Sequence, residues 1–205
     1  MEAGKKFRFT ASNFGLTRDR KRNHESLVKN VINPNPFSSR HTNHGLKYEP
    51  IALEQYQKYM SSINKPVKGF KSGLVISLDV PYLGASPDGK VIDHRCCDPF
   101  GLSEVKCPET KCLVTPLDVC SDSSFFMEEV DGKPKLKRTH KYYVQVQGLM
   151  GVTGAKWCDF VVYTSKGMSI KRIPFDHQFW NSLQVTMKLY YFKHFLATAA
   201  REPRA

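Results

Sequence analysis

The sequence predicts an α/β fold, a central mixed β-sheet flanked by helices, on three observations. Short apolar runs bounded by turn residues crowd the middle of the chain, from Leu74 to Cys107. Two segments with helical spacing, 42–61 and 176–199, lie on either side of it. Two further strand-like runs, Cys158–Tyr163 and Met168–Ile173, flank the turn Ser165-Lys166-Gly167. Interleaved helix and strand periods of this kind define a layered α/β architecture. At 205 residues the chain suits one domain, with N-terminal helices over 1–65 and the sheet and its flanking helices over 66–205.

Each element has a local cause. Ser12 can cap a helix running toward His24, and Leu27, Val28, Val31 and Ile32 predict a second, stopped by Asn33-Pro34-Asn35-Pro36. From Thr42 to about Ser61, Leu46, Ile51, Leu53, Tyr56 and Met60 recur at helical intervals, with Pro50 as an expected kink. Strands are predicted at Leu74–Leu78, Tyr82–Ala85 and Lys90–Ile92, the last two joined by the turn Ser86-Pro87-Asp88-Gly89. Gly101–Cys107 is the next strand, stopped by Pro108, and these early strands suggest antiparallel pairing. Thr115–Phe126 is expected to be helical, Val130–Arg138 to form a hairpin around Asp131-Gly132, and Thr139–Met150 to form a helix ended by Gly151. The last helix, Asp176 to about Ala199, carries an aromatic-rich stripe expected in a core or a subunit interface.

Composition narrows the class. A hydrophobic fraction of 40% with 12% aromatics excludes a disordered chain. No run of about 18 uncharged apolar residues occurs, so the expectation is a soluble intracellular protein with no membrane span. The six cysteines form no regular framework and are expected as reduced thiols. The net charge of +12 favours a polyanionic partner, with basic residues concentrated in the first quarter and again from Lys133 to Lys141. A solvated basic surface gives the same composition, so chemistry must be read from particular residues.

Glu104-Val105-Lys106 supplies it. Residues two apart on a strand share a face, so this triplet sets a carboxylate beside an ammonium. Alone it is an ordinary surface pair. Asp88, on the turn upstream, can fold back beside Glu104. Two close carboxylates repel unless a hard cation neutralises them, and magnesium, with its preference for oxygen, serves that purpose.

These blocks resemble one family. Thr10-Ala11-Ser12, Gly45-Leu46-Lys47-Tyr48-Glu49, Ser86-Pro87-Asp88-Gly89, Glu104-Val105-Lys106-Cys107-Pro108 and Gln145-Val146-Gln147 are similar, in order, to the motifs of the phage lambda exonuclease and YqaJ-like viral recombinase group of PD-(D/E)xK nucleases. The resemblance implies a restriction-endonuclease-like fold and Mg²⁺-dependent hydrolysis of DNA, with Mn²⁺ as a substitute. It implies metal binding by Asp88, Glu104 and the Val105 carbonyl, an acidic cluster completed by Glu49, a lysine, Lys106, that orients or activates water, and Gln145 touching the same centre. Asp79 is a candidate for a second metal position, one residue nearer Asp88 than the family spacing. Ser12, Ser86 and Thr10 match residues that hold a DNA phosphate. The accompanying cation is left open among Arg8, Lys5 and Lys6, since the family's arginine lies further upstream than Arg8.

The implied activity is 5′-to-3′ digestion of duplex DNA from an end, alongside a single-strand-annealing partner. Its rivals are a structure-specific or nicking endonuclease with the same centre and a catalytically silent DNA-binding module. A metal site at His94, Cys96 and Cys97 lacks a Cys-x-x-Cys spacing, and a cysteine hydrolase from Cys107 or Cys112 with His140 or His44 has nothing beyond residue presence. His44 reads as a capping or substrate-side residue. Phe125 and Phe126 are candidates for contacting DNA ends.

Overall fold

A computed structural model describes residues 8–33 and 39–201 of the chain. Lys5 and Lys6 therefore lie outside the described residues. The elements run β1 (Phe9–Thr10), α1 (Ala11–Arg18), α2 (His24–Ile32), α3 (Arg40–Ser62), β2 (Lys68–Phe70), β3 (Val75–Ile76), β4 (Leu83–Ala85), β5 (Gly89–Ile92) and β6 (Phe100–Lys106). They continue with β7 (Met127–Val130), β8 (Lys133–Leu136), α4 (Lys141–Thr153), β9 (Trp157–Thr164), β10 (Gly167–Pro174), α5 (His177–Tyr190), a π turn (Tyr191–Phe195) and α6 (Leu196–Ala199).

The main sheet has the order β10-β9-β6-β5-β2. It is mixed, as expected, because β6 runs parallel to β9 whereas its pairing with β5 is antiparallel. Alternation along the strands divides two cores. Leu102, Cys158, Phe160 and Val162 join the large cluster that includes α4, while Val91, Val105, Trp157 and Val161 meet Ala52, Tyr56 and Met60 of α3. A smaller sheet, β1-β4-β3, has β1 parallel to β4 with Thr10 opposite Gly84.

Several expectations are corrected. Thr10, rather than Ser12, occupies the N-cap of α1, and α1 stops at Arg18 where the sequence turns wholly polar. Pro50 does not interrupt α3, which Ser39 caps by accepting from the Thr42 N–H. The expected helix over Thr115–Phe126 reduces to a 3₁₀ turn at Asp118–Ser121. There Thr115 and Asp118, and Asp122 and Ser124, satisfy one another and the adjoining backbone, competing with helix formation. The β7–β8 hairpin turns through Asp131 and Gly132, both at positive φ, the arrangement that suits a tight two-residue connection. α4 runs through Gly151, which has Trp180 packed on it, and ends at Gly154 with φ 80°.

A polar cluster inside the α3-side core ties α3 to the sheet. The Tyr56 hydroxyl donates to Asp159 Oδ2 (2.6 Å), and Arg172 binds both Asp159 oxygens and Asp93. Removing one member would strand a buried charge. Arg172 also lies 3.5 Å from the Trp157 ring centroid, and the Trp157 indole donates to the Asp98 carbonyl.

That clamp leaves no room over Gly101, where a Cβ would stand 2.3 Å from the Trp157 ring. Gly101→Ala is expected to destabilise the fold by about 1–3 kcal/mol, through displacement of a held aromatic ring. Urea unfolding measures it, and an unchanged midpoint would show that Trp157 moves freely.

Candidate active site

The site forms where β6 reaches its C-terminal end between α3 and α4. The β5–β6 register pairs Gly89 with Ser103, so one further residue in each direction sets Asp88 against Glu104. Asp88 leaves the ladder there, and its Oδ2 accepts from the Val105 N–H at 2.7 Å in place of a backbone carbonyl. The glycine of the turn has a steric reason: a Cβ on Gly89 would stand 2.5 Å from Ser103 Oγ.

Glu104 faces the α4 layer and is 1% exposed. Its Oε1 accepts from Lys106 Nζ at 2.5 Å and from Gln145 Nε2 at 2.6 Å, while its buried Oε2 has no partner. Gln147, two residues on in α4, has a structural task, donating to the Pro174 carbonyl and accepting from the Asp176 N–H. Lys106 Nζ also lies 4.7 Å from the Tyr142 ring centroid, a cation–π contact.

Glu49 enters from α3, in the opposite layer. With Asp88 it lines two adjoining clefts, one of about 380 Å³ also bounded by His41, Thr42, Lys106 and Tyr142, the other of about 650 Å³ bounded by Lys71, Ser72 and Ser86. Among the described residues no three acidic, imidazole or thiol side chains stand together as a ready-made metal cage. Asp88, just before β5, and Glu104 on β6 form a carboxylate pair, and Glu49 faces Asp88 from α3 in the same cleft.

Electrostatics follow from burial. Desolvation pushes the Glu104 pKa up to about 7, with the Asp88 charge adding to it and Lys106 opposing. Burial also raises Asp88 against the pull of Lys106, and raises Glu49, where the Asp88 charge adds. Burial disfavours charge on Lys106, but the Glu104 and Asp88 carboxylates outweigh it and raise its pKa. Lys106 is therefore an ammonium at neutral pH, a donor rather than a base. Burial pushes Cys107 up to about 12, which removes it as a thiolate nucleophile.

A divalent cation suits this donor set. Two carboxylates raised by burial, Glu104 further by the Asp88 charge and with an unpartnered buried oxygen, gain most from a hard cation, and magnesium needs only one or two carboxylates beside its retained waters.

The other candidates divide. Ser86 Oγ is buried without a partner, and the parallel β1–β4 pairing brings Thr10 and Ser12 alongside the strand that leads to it. The Thr10 and Ser12 hydroxyls are 3.0 Å apart. Arg8 is turned to the Pro81 carbonyl, 3.0 Å from its Nε. Asp79 is not brought in: it is exposed on the bend before β4, at the opposite end of that strand from Asp88. His44 packs against Tyr48 on α3. Phe125 and Phe126, the candidates for contacting DNA ends, are buried, with Phe126 packed against Tyr142 and Phe160 in the wall of the smaller cleft. The sequence reading missed Tyr142, although it lies three residues before Gln145 on the same helix face, and it missed His41 and Thr42 at the cleft rim.

Comparison with solved structures shows a fold similar to that of solved exonucleases. An alkaline exonuclease from Laribacter hongkongensis, LHK-Exo, also solved in complex with dAMP, superposes with a TM-score of 0.70 at 23% identity, covering 97% of this chain and 93% of that one. A phage-related exonuclease from Haemophilus somnus 129PT gives 0.57 at 14% identity, with 94% of each chain covered. The YqaJ-like viral recombinase domain matches residues 6–156, and the chain belongs to that family. No curated protein matches it by sequence. Among the described residues no helix is long and apolar enough to cross a membrane.

The raised Glu104 pKa has a signed consequence. The folded protein holds this proton more tightly than the unfolded chain, so the contribution to stability is present below the ordinary value of 4.5 and is lost as pH rises through about 7. In chelator-treated buffer, the stability of the native protein relative to Glu104→Gln should fall by about 1–3 kcal/mol across that window. Thermal unfolding of both proteins from pH 4 to 8 reads it, and a pH-independent difference would contradict the assignment.

Proposed function

We propose that the protein is a magnesium-dependent DNA nuclease that digests duplex DNA from its 5′ ends, releasing nucleotides in the 5′-to-3′ direction. The observation that carries this reading is the meeting of Lys106 and Gln145 on Glu104 Oε1, beside Asp88 on the Val105 N–H, which leaves the buried Glu104 Oε2 without a protein partner. The net charge of +12 and the family membership support it.

Asp88, Glu104 and the Val105 carbonyl would hold Mg²⁺ or Mn²⁺, which when bound polarises a phosphoryl oxygen and lowers the pKa of a water. Gln145 and Lys106 fix Glu104 through Oε1, leaving Oε2 for the cation. The Lys106 ammonium orients the attacking water and offsets charge that builds on the phosphate. Glu49 adds negative charge from the α3 wall and disfavours entry of the phosphodiester without its cation. Ser86, with Thr10, Ser12 and a basic residue from the N-terminal segment, holds the terminal phosphate by hydrogen bonds and charge, which sets the strand end without reading sequence. The single strand left behind is a substrate for an annealing protein.

Lys106→Ala should reduce cleavage of linear duplex DNA by about 10²–10³-fold with magnesium present, and chelation should abolish cleavage by the native protein. Covalently closed circles should survive. Retained cleavage in Lys106→Ala removes the lysine assignment, and digestion of the circle favours the endonuclease reading. A 5′-phosphorylated duplex should be degraded at least about tenfold faster than a 5′-hydroxyl one, with Ser86→Ala narrowing the gap. Equal rates would remove the end-recognition role.

A further inference from the structure

Glu104 and Lys106 occupy one end of a sheet face whose other end is open. Residues directly opposite in a ladder share a face, so Phe70 of β2, Lys90 of β5 and Leu102 of β6 form one row across the sheet, and Lys68, Ile92 and Phe100 form the next. Leu102 lies on the α4 side, two residues before Glu104, which puts both rows on the face that carries the catalytic pair. α4 ends at Gly154, and the rows meet solvent there: Phe70 is 51% exposed, Phe100 is 68% exposed, and Lys68 and Lys90 are exposed with them. Phe70, Lys90 and Phe100, with Val75, Ile92 and Lys156 just past α4, bound a cavity of about 620 Å³. Single exposed apolar side chains are ordinary. Two exposed rings on one sheet face, interleaved with lysines, are the arrangement that stacks unpaired bases and holds their phosphates.

Continuity and charge select the occupant. Phe70 also lines the 650 Å³ cleft that holds Ser86 and Asp88, so the two hollows meet at that residue. Lys90 stands two positions beyond Asp88, and Lys71 and Ser72 line the cleft side of the junction. Phe100 lies at the opposite end of β6 from Lys106, about 20 Å away, a distance that a short run of nucleotides covers. Among the described residues Asp98 is the one acid lining the open cavity, against Lys90 and Lys156. A second copy on this face would set lysines against lysines. Bases inside a duplex are stacked on one another and cannot lie on a ring, so the chemistry fits an unpaired strand.

We propose that this open face holds the unpaired DNA strand adjoining the cleft, with its bases stacked on Phe70 and Phe100 and its phosphates on Lys68, Lys90 and Lys156. The choice of DNA rests on the nuclease reading, whereas the stacking surface itself does not.

Fluorescence anisotropy in chelator tests it with three labelled probes: a dT oligomer of about 16 nucleotides, a blunt duplex, and the same duplex with a 5′ end recessed to leave a 3′ single strand. The native protein should bind the oligomer saturably, and the recessed duplex at least about tenfold tighter than the blunt one. Phe70→Ala with Phe100→Ala should weaken oligomer binding by at least about tenfold and bring the recessed duplex to the blunt value. Thermal unfolding of this double variant should be unchanged, because both rings are exposed. Lys90→Glu with Lys156→Glu should also weaken oligomer binding and flatten its dependence on salt. Oligomer affinity unmoved in the phenylalanine variant overturns the proposal, as does a native protein that binds recessed and blunt duplexes equally. Self-association in sedimentation that the phenylalanine variant abolishes overturns it too, and assigns the face to a second copy. Loss of cleavage in Lys106→Ala together with unmoved oligomer binding in the phenylalanine variant sinks this proposal alone. Cleavage retained in Lys106→Ala together with weakened oligomer binding in the phenylalanine variant keeps the single-strand site and removes the nuclease assignment instead.

Discussion

The structure turns on one buried carboxylate. Glu104 sits in the sheet's interior at the end of β6, a place where a charge is costly unless it is paired, and only one of its two oxygens is satisfied by the protein. The surroundings are arranged around that cost. Lys106 and Gln145 neutralise and fix Oε1, Asp88 holds the adjacent backbone through Val105, and burial raises the pKa of both acids. A site that leaves one carboxylate oxygen unpaired inside a low-dielectric cleft gives a cation what bulk water cannot, a fixed ligand that needs no reorganisation on binding.

The two helical layers share the remaining work. α4 supplies Gln145 and Tyr142, and α3 supplies Glu49 and the rim residues His41 and Thr42. α3 can do so with accuracy because its far half is anchored by Tyr56 to Asp159, which Arg172 in turn holds. Its near end is anchored separately, since Arg40 and His41 both reach Glu109 just beyond β6. The helix that carries Glu49 is thus pinned on either side of it.

How much was legible depended on range. Glu104-Val105-Lys106 and Ser86-Pro87-Asp88-Gly89 could be read because strand alternation and turn chemistry are local, and the antiparallel β5–β6 pairing then follows. The mixed sheet and the long helices were likewise written in periodicity. β1 and β2 escaped notice because two or three residues carry no period, although β1 is what draws Thr10 and Ser12 toward Ser86. The layer from which Glu49 comes was not legible: no local pattern says that α3 lies across the sheet from α4, and that layering is what brings Glu49 to the cleft of Asp88 and Lys106. Phe125 and Phe126 looked available for DNA because their segment is irregular, yet the packing of Phe126 against Tyr142 and Phe160 buries them beside the cleft. The apolar residues of the last helical run form one stripe in the sequence, and only the fold separates buried Leu183, Met187 and Phe195 from exposed Val185 and Leu189.

The central claim is that Asp88 and Glu104 jointly hold one divalent cation. Anomalous diffraction from crystals soaked in Mn²⁺ tests it directly. The account predicts a peak within about 2.0–2.3 Å of an oxygen of each carboxylate, with Glu104 Oε2 as a ligand. A peak that leaves Glu104 uncoordinated, or no peak between the two side chains, would contradict it.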